Sequence, residues 1–286
     1  MPEKRIGVIG GSGLYEMEGL KVVEEVKLET PFGPPSDAYL VGILEGKKVV
    51  FLPRHGRGHR LSPSELNFRA NIWGMKKLGV EWIIAVSAVG SLREEIRPGH
   101  MVIVDQFFDR TKGRVSTFFS DGVVAHVAFA DPVCSSLRQQ LIASGREVGA
   151  IVHEKGTYIC MEGPQFSSRA ESNLYRRWGM DVIGMTNLQE AKLAREAEIC
   201  YATIALSTDY DCWHETHEDV TIDAILEVLK KNVETAKGMI RETVVRLPLK
   251  RSCGCDSAMK NAILTDRRLI PAETKKRLEL IAGRYF

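Results

Sequence analysis

The chain has 286 residues, 44% of them hydrophobic and 27% charged, with a formal net charge of +2. That balance suits a folded protein with a sizeable core; it excludes a disordered chain and supplies no basic footprint for nucleic acid. No apolar run approaches the roughly 18 residues of a membrane helix, and the opening MPEKRIGVIGG has no apolar targeting stretch, so the expected setting is cytoplasmic, without membrane or nucleic-acid partners.

Residues 5–10, RIGVIG, read as a buried strand running into the turn GGSG. Further apolar runs at 47–53, 80–89, 100–104, 181–185 and 199–206 have strand length and β-branched content. Between them lie helical patterns: 64–78, with Leu66, Ala70, Trp73 and Leu78 on one face; 133–145, closed by Gly145; 169–178; and a long amphipathic stretch over 220–244. Helices recurring between short apolar strands predict an α/β fold, a single domain whose mixed twisted sheet is flanked by helices. The expected boundaries are a catalytic domain over 1–247 and a helical extension over 248–286. That extension holds a short helix around 257–264 and a charged helix after Pro271; it caps the site, packs on a neighbouring subunit, or is further cladding of the same domain.

Three strand ends offer donors for an anion. GGSG places Ser12 among glycines whose N–H groups can surround a phosphate, although it matches neither a dinucleotide fingerprint nor a P-loop. PRHGRGH at 53–59 supplies Arg54, with its planar fork of donors, and His55, which can donate from one ring nitrogen and be held through the other. VSAVGSLREE at 86–95 adds the Ser87 hydroxyl and the Ala88 N–H, with Gly90 permitting close approach. Ligands of α/β sheets bind beyond the carboxyl ends of strands, and the absence of a Mg2+ cage in this set favours orthophosphate over a nucleoside triphosphate.

The run IALSTDYDCW ends in two acids, Asp209 and Asp211. An extended chain sends alternate residues to one side, so both carboxylates can address one object; the plainer reading is that they are solvated turn formers.

GGSGL, PRHGRGH, AVGSLREEIRPG, EGPQFSSRAE, GMTNLQE and STDYDCWHE stand in this order, and from about residue 5 to 245 they resemble the 5'-methylthioadenosine phosphorylases of the trimeric purine nucleoside phosphorylase family. The resemblance implies that family's fold and a phosphate site of Ser12, Arg54, His55, Ser87, Ala88 and Thr186. It implies that Met185 lies along the ribose, that Phe166 stacks on the purine, and that Asp209 and Asp211 read N7 and N6 of adenine. Catalytic roles fall to Asp209, Asp211 and His55. Ile222, Ile225 and Leu226 are implied to receive the methylthio group, and His126 to reach the pocket of an adjacent subunit. The implied reaction is phosphorolysis of 5'-methylthioadenosine to adenine and 5-methylthioribose 1-phosphate in methionine and purine salvage, with phosphate as co-substrate and neither cofactor nor metal. The alternatives are a purine nucleoside phosphorylase of broad or 6-oxopurine preference, and a nucleotide sensor that has lost catalysis. A homotrimer, or a dimer of trimers, is implied as well.

The six cysteines make no four-ligand zinc spacing. Cys134, Cys160, Cys200 and Cys212 read as small buried side chains, while the C-x-C of Cys253 and Cys255 suits either a metal or a redox pair. The resemblance adds a third reading, in which Cys134 with Cys200, and Cys253 with Cys255, form disulfides like those of hyperthermophilic relatives.

Overall fold

Strand residues alternate between two faces, and here both faces are apolar. In β1 (Arg5–Gly10), Ile6 and Val8 join one buried cluster and Ile9 the other. The same split recurs in β3 (Tyr39–Leu44), β4 (Lys47–Pro53), β5 (Val80–Ser91) and β11 (Cys200–Asp209). A sheet apolar on both faces must be covered on both. One face is covered by α1 (Phe68–Lys77), α4 (Asn187–Glu196) and α6 (Ala272–Ala282), the other by α2 (Ser135–Glu147) and α5 (Ile222–Arg246).

The computed structural model describes residues 5–16, 18–214, 222–248 and 250–286. The remaining elements are β2 (Lys21–Val26), β6 (Met101–Ile103), β7 (Gln106–Arg110), β8 (Val152–His153), β9 (Thr157–Met161), α3 (Arg169–Arg177) and β10 (Val182–Gly184). They complete an 11-stranded sheet in the order β2-β3-β4-β1-β5-β10-β9-β7, from which β11, β6 and β8 branch at β5. The sheet is mixed: β1 runs parallel to β4 and β5, and β5 parallel to β11, whereas β10 joins the end of β5 antiparallel. Four parallel strands, β4, β1, β5 and β11, thus end along one edge. No described helix is long and apolar enough to cross a membrane.

Several boundaries differ from expectation. The strands at 21–26, 39–44, 106–110, 152–153 and 157–161 and the helix at 187–196 were not anticipated, because β2 and β7 are largely exposed and the start of α4 is polar. The helix expected around 257–264 is instead a 3-10 turn, Gly254–Ser257, followed by irregular turns. The C-terminal segment nevertheless places Met259, Ala262, Ile270, Leu278 and Ile281 in the cluster that contains α1. All six cysteines are free thiols, so neither expected disulfide is formed.

Gly145 does not end α2, which continues to Glu147. Its role is packing: a Cβ there would lie 2.5 Å from Val152 Cγ2 and 3.0 Å from Met239 Cε. Helix propensity alone favours Gly145→Ala by about 1 kcal/mol, but overpacking costs about 1–3 kcal/mol. We expect a net loss of stability in urea unfolding; a gain would show that the contact relaxes freely.

Candidate active site

The edge where β1, β4, β5 and β11 end gathers most of the expected residues. Arg54 follows β4, and its backbone N–H donates to Gly10 O at 2.9 Å, binding the ends of β4 and β1 together. Its side chain turns inward and is 3% exposed as a residue. Nε donates to Glu190 Oε1 at 2.6 Å, Nη2 to Glu190 Oε2 at 3.1 Å and to Ile9 O at 3.3 Å, and Nη1 to Val86 O at 2.7 Å. The bidentate fork expected to face phosphate is therefore engaged by Glu190, since a buried guanidinium needs a counter-charge. Four hydrogen bonds leave one of its five N–H donors, on Nη1, for an anion. Burial would lower the Arg54 pKa, and the Glu190 carboxylate more than restores it, leaving it raised.

His55 also departs from expectation. Nδ1 lies 2.7 Å from Leu61 O, and since a carbonyl only accepts, Nδ1 carries the proton. Burial, with the nearby Arg54 charge, pushes the ring down to about 4. The imidazole is thus neutral, with a lone pair on Nε2 that can accept a hydrogen bond. Ser87, on β5, is buried, with Oγ 3.2 Å from Ala88 O. Thr186 caps α4, whose first N–H groups and dipole favour an anion. The Ser12 backbone lies in the turn Ser12–Tyr15 directly after β1. Its side chain, and those of Ile222, Ile225 and Leu226 at the start of α5, lie outside the described residues.

The acids sit at the end of β11. Alternation along a strand is not what joins them: β11 stops at Asp209, the chain turns, and Asp211 takes a left-handed conformation with φ of 52°. Asp209 accepts from the Asp211 N–H at 2.7 Å and from the Thr208 hydroxyl at 2.6 Å. Both side chains converge on Gly90 of β5, where a Cβ would lie 3.1 Å from Asp209 Oδ1 and 3.3 Å from Asp211 Cβ. A side chain at position 90 would press on both acids. Burial raises Asp209 above its ordinary range, and burial together with the Asp209 charge pushes Asp211 up to about 6. Asp211 Oδ2 is buried with no hydrogen-bond partner.

Phe166 is 72% exposed, on a loop that leads into α3. The sequence SSRAE fixes that loop's end: the Ser168 side chain and Glu171 form a capping box. Cys212 ties the same loop to the acids through an S–H bond to Ser167 O at 3.3 Å. Met185 is half-buried after β10, and its carbonyl accepts from Arg114, which also donates to Glu162 O and to Gln189 Oε1. His126 stands apart from these strand ends. It is exposed, and its N–H donates to Ala262 O in the C-terminal segment at 2.8 Å.

One strand thus serves as the ruler of the site. Val86 and Ser87 stand at the Arg54 end, and Gly90 faces the acids, paired with Ile183 of β10 on one side and Asp209 of β11 on the other. Four residues of strand span about 13 Å, the scale of a nucleoside with a phosphate beneath its sugar. Glu190, Asn187 and Arg114 were missed by the sequence reading. The visible signal was TNLQE, a polar start to a helix set between apolar strands. Asn187 is fully buried, donating to the Tyr201 hydroxyl at 3.0 Å and to Thr203 Oγ1 at 3.1 Å, and the Tyr201 hydroxyl donates to Glu190 at 2.9 Å.

Residues 5–245 match the family model described as the phosphorylase superfamily. The S-methyl-5'-thioadenosine phosphorylase of Geobacter sulfurreducens is 65% identical over 99% of both chains, and that of Koribacter versatilis 61% identical over 99% of this chain and 97% of its own. The chain belongs to the phosphorylase superfamily, among its S-methyl-5'-thioadenosine phosphorylases. A crystal structure of a methylthioadenosine phosphorylase from an antarctic soil metagenomic library superposes with a TM-score of 0.93 at 49% identity, covering 98% of this chain and 99% of that one. A methylthioadenosine phosphorylase from Schistosoma mansoni in complex with adenine matches with a TM-score of 0.85 at 37% identity, covering 90% of this chain and 96% of that one.

Two expectations follow from the phosphorylase site. Glu190→Gln leaves Arg54 buried without a counter-charge, and thermal melting should show a loss of about 3 kcal/mol or more; an unchanged melting temperature contradicts the pairing. Asp211 releases its proton at the ordinary 3.8 when unfolded but at about 6 when folded. Between those values the folded state holds more protons, so stability falls as pH rises through this window, by about 3 kcal/mol at most, and stays lower above it. Asp211→Asn should reduce that slope to what Asp209 contributes and be more stable than the parent at neutral pH, as read by urea unfolding near pH 4 and near pH 7.

Proposed function

We propose that this chain catalyses reversible phosphorolysis of 5'-methylthioadenosine, giving adenine and 5-methylthioribose 1-phosphate in methionine and purine salvage. The observation that carries the reading is the pairing of ends on β5: an anion cradle around Val86 and Ser87, and two pK-raised carboxyls over Gly90.

Phosphate lies against Ser87, the Ala88 N–H, the Arg54 Nη1–H, Thr186 at the α4 N-terminus and the turn of Ser12. His55 Nε2 accepts a phosphate hydroxyl, which orients one oxygen without adding a second positive charge. The nucleoside lies above it, with the sugar beside Met185 and the base beneath exposed Phe166. As the glycosidic bond lengthens, positive charge gathers at C1' and the ring oxygen; the phosphate dianion on the opposite face stabilises it and then bonds to C1'. The base leaves with the electron pair of the broken bond. A proton at N7, held or delivered by the Asp209 and Asp211 pair, spares it a full negative charge.

Adenine is preferred because its N6 amino group donates. A carboxylate accepts that hydrogen bond, whereas a 6-oxopurine presents an oxygen to a buried acid. We assign receipt of the methylthio group to Ile222, Ile225 and Leu226, whose side chains lie outside the described residues; further along α5, Asn232 Nδ2 donates to Ser207 O at 2.8 Å and ties that helix to β11. We assign the working unit as a homotrimer, or a dimer of trimers, in which exposed His126 reaches the neighbouring pocket.

The test is a panel of methylthioadenosine, adenosine, inosine and guanosine, with and without phosphate. Methylthioadenosine should be cleaved fastest, and omission of phosphate should slow adenine release at least about 100-fold. Asp209→Asn should lower kcat/KM for methylthioadenosine by about 10²-fold or more while raising the ratio of inosine to adenosine cleavage. An unchanged ratio removes Asp209 from base reading, and tight binding without phosphate-dependent release removes catalysis.

A further inference from the structure

Far from the nucleoside site, four cysteines distant in sequence meet at one point. Cys134 caps the start of α2, Cys200 opens β11, and Cys253 and Cys255 belong to the loop around the 3-10 turn Gly254–Ser257. Their four sulfur atoms all lie within 4.8 Å of one another, with Cys200 Sγ and Cys253 Sγ 3.3 Å apart. A tetrahedral ion bound by four thiolates at about 2.3 Å requires sulfur–sulfur separations of about 3.8 Å, a rearrangement of only a few tenths of an ångström to an ångström from this set.

From this geometry we infer that Cys134, Cys200, Cys253 and Cys255 form a closed structural site for one zinc ion. Four sulfur ligands select a soft or borderline tetrahedral cation, and four protein ligands fill a tetrahedron, as in closed structural sites. The surroundings support such an ion. Cys134 and Cys200 are buried in the apolar cluster shared by α2 and α5, with Cys253 and Cys255 packed against it, so water is kept from the sulfurs. The Leu137 N–H donates to Cys134 Sγ at 3.4 Å, the kind of backbone support that metal thiolates receive in their outer shell. The site also has a structural task. The C-x-C loop lies on the α2 and α5 face, whereas Met259 and α6 pack on the opposite face. The 3-10 turn between them contributes no buried residue. An ion here would staple the chain at its crossover from one face of the sheet to the other.

The site is separate from catalysis. Cys200 and Asp209 stand at opposite ends of β11, nine residues or about 30 Å apart. The experiment uses the full chain purified with a reductant and without chelator, with metal measured by mass spectrometry and thiols counted by alkylation after denaturation. We expect about one zinc per chain with all six thiols reduced, and zinc release in step with mercurial titration. Cobalt exchanged into the site should show thiolate charge-transfer and tetrahedral ligand-field bands. Cys253→Ser with Cys255→Ser should reduce zinc to below about a tenth of an equivalent and lower the melting temperature, with kcat/KM for phosphorolysis retained. Should that variant fail to fold, the zinc content and cobalt spectrum of the unaltered chain still decide the question. Reduced protein that holds less than about a tenth of an equivalent after equilibration with zinc sulfate and desalting overturns the proposal, as does recovery of these cysteines as disulfides under reductant.

Discussion

The buried pair of Arg54 and Glu190 is the constraint around which the catalytic edge is built. Arg54 brings the ends of β1, β4 and β5 into one hydrogen-bonded unit, through Gly10 O, Ile9 O and Val86 O. Glu190 extends that unit to α4 and, through the Tyr201 hydroxyl, to β11. Two charges out of water are costly unless each is fully satisfied, so this pair tolerates little displacement of any element it joins. Its contribution is positional more than stabilising. It leaves one guanidinium N–H uncommitted, and it joins Arg54 to the helix whose N-terminus is capped by the buried Thr186.

β5 converts that local rigidity into a distance. Its residues Ser87 to Gly90 pair with β11, and Gly90 also with β10, so the separation of Ser87 from Gly90 is set by strand geometry and not by a loop. Phosphorolysis needs an anion on one side of a sugar carbon and a base acceptor on the other, in line. A rigid strand that spans both groups of residues meets that need. His55 fits the same logic: burial and the nearby Arg54 charge keep it neutral against the opposing effect of its bond to Leu61, so in the proposed complex it meets phosphate as an acceptor and does not compete with Arg54 for the negative charge.

The sequence was informative where residues act through local pattern. Strands β1, β4, β5 and β11 showed as apolar runs because both of their faces are buried, and the donors after them were visible because they follow those runs. The pairing of Asp209 with Asp211 was legible, but its cause was not. The expected mechanism was strand alternation, and the observed one is a turn with Asp211 at positive φ, closed on Asp209. Glu190, Arg114 and the four-cysteine cluster escaped notice for one shared reason: each acts through partners 48 or more residues away in the chain. No local spacing encodes such contacts, and only the topology of the sheet brings them together. β2 and β7 were missed for the opposite reason, since an edge strand with exposed residues lacks the continuous apolar signature.

The acid pair shows how burial can be converted into selectivity. Burial raises both carboxyls packed over the glycine, the Asp209 charge raises Asp211 further, and Asp211 Oδ2 is left without a partner, a destabilising arrangement for the free enzyme. In the proposed complex a base with donors at N6, and N7 able to share a proton, supplies the missing hydrogen bonds; a base with an oxygen at C6 would leave the deficit and add repulsion. Discrimination therefore draws on a cost already present in the folded protein, which is the general pattern of functional sites that sacrifice stability for chemistry. The β11 strand carries that cost at its carboxyl end. Its amino end, beginning at Cys200, lies where four thiols converge, so the element that bears the least comfortable groups is anchored at the point farthest from them.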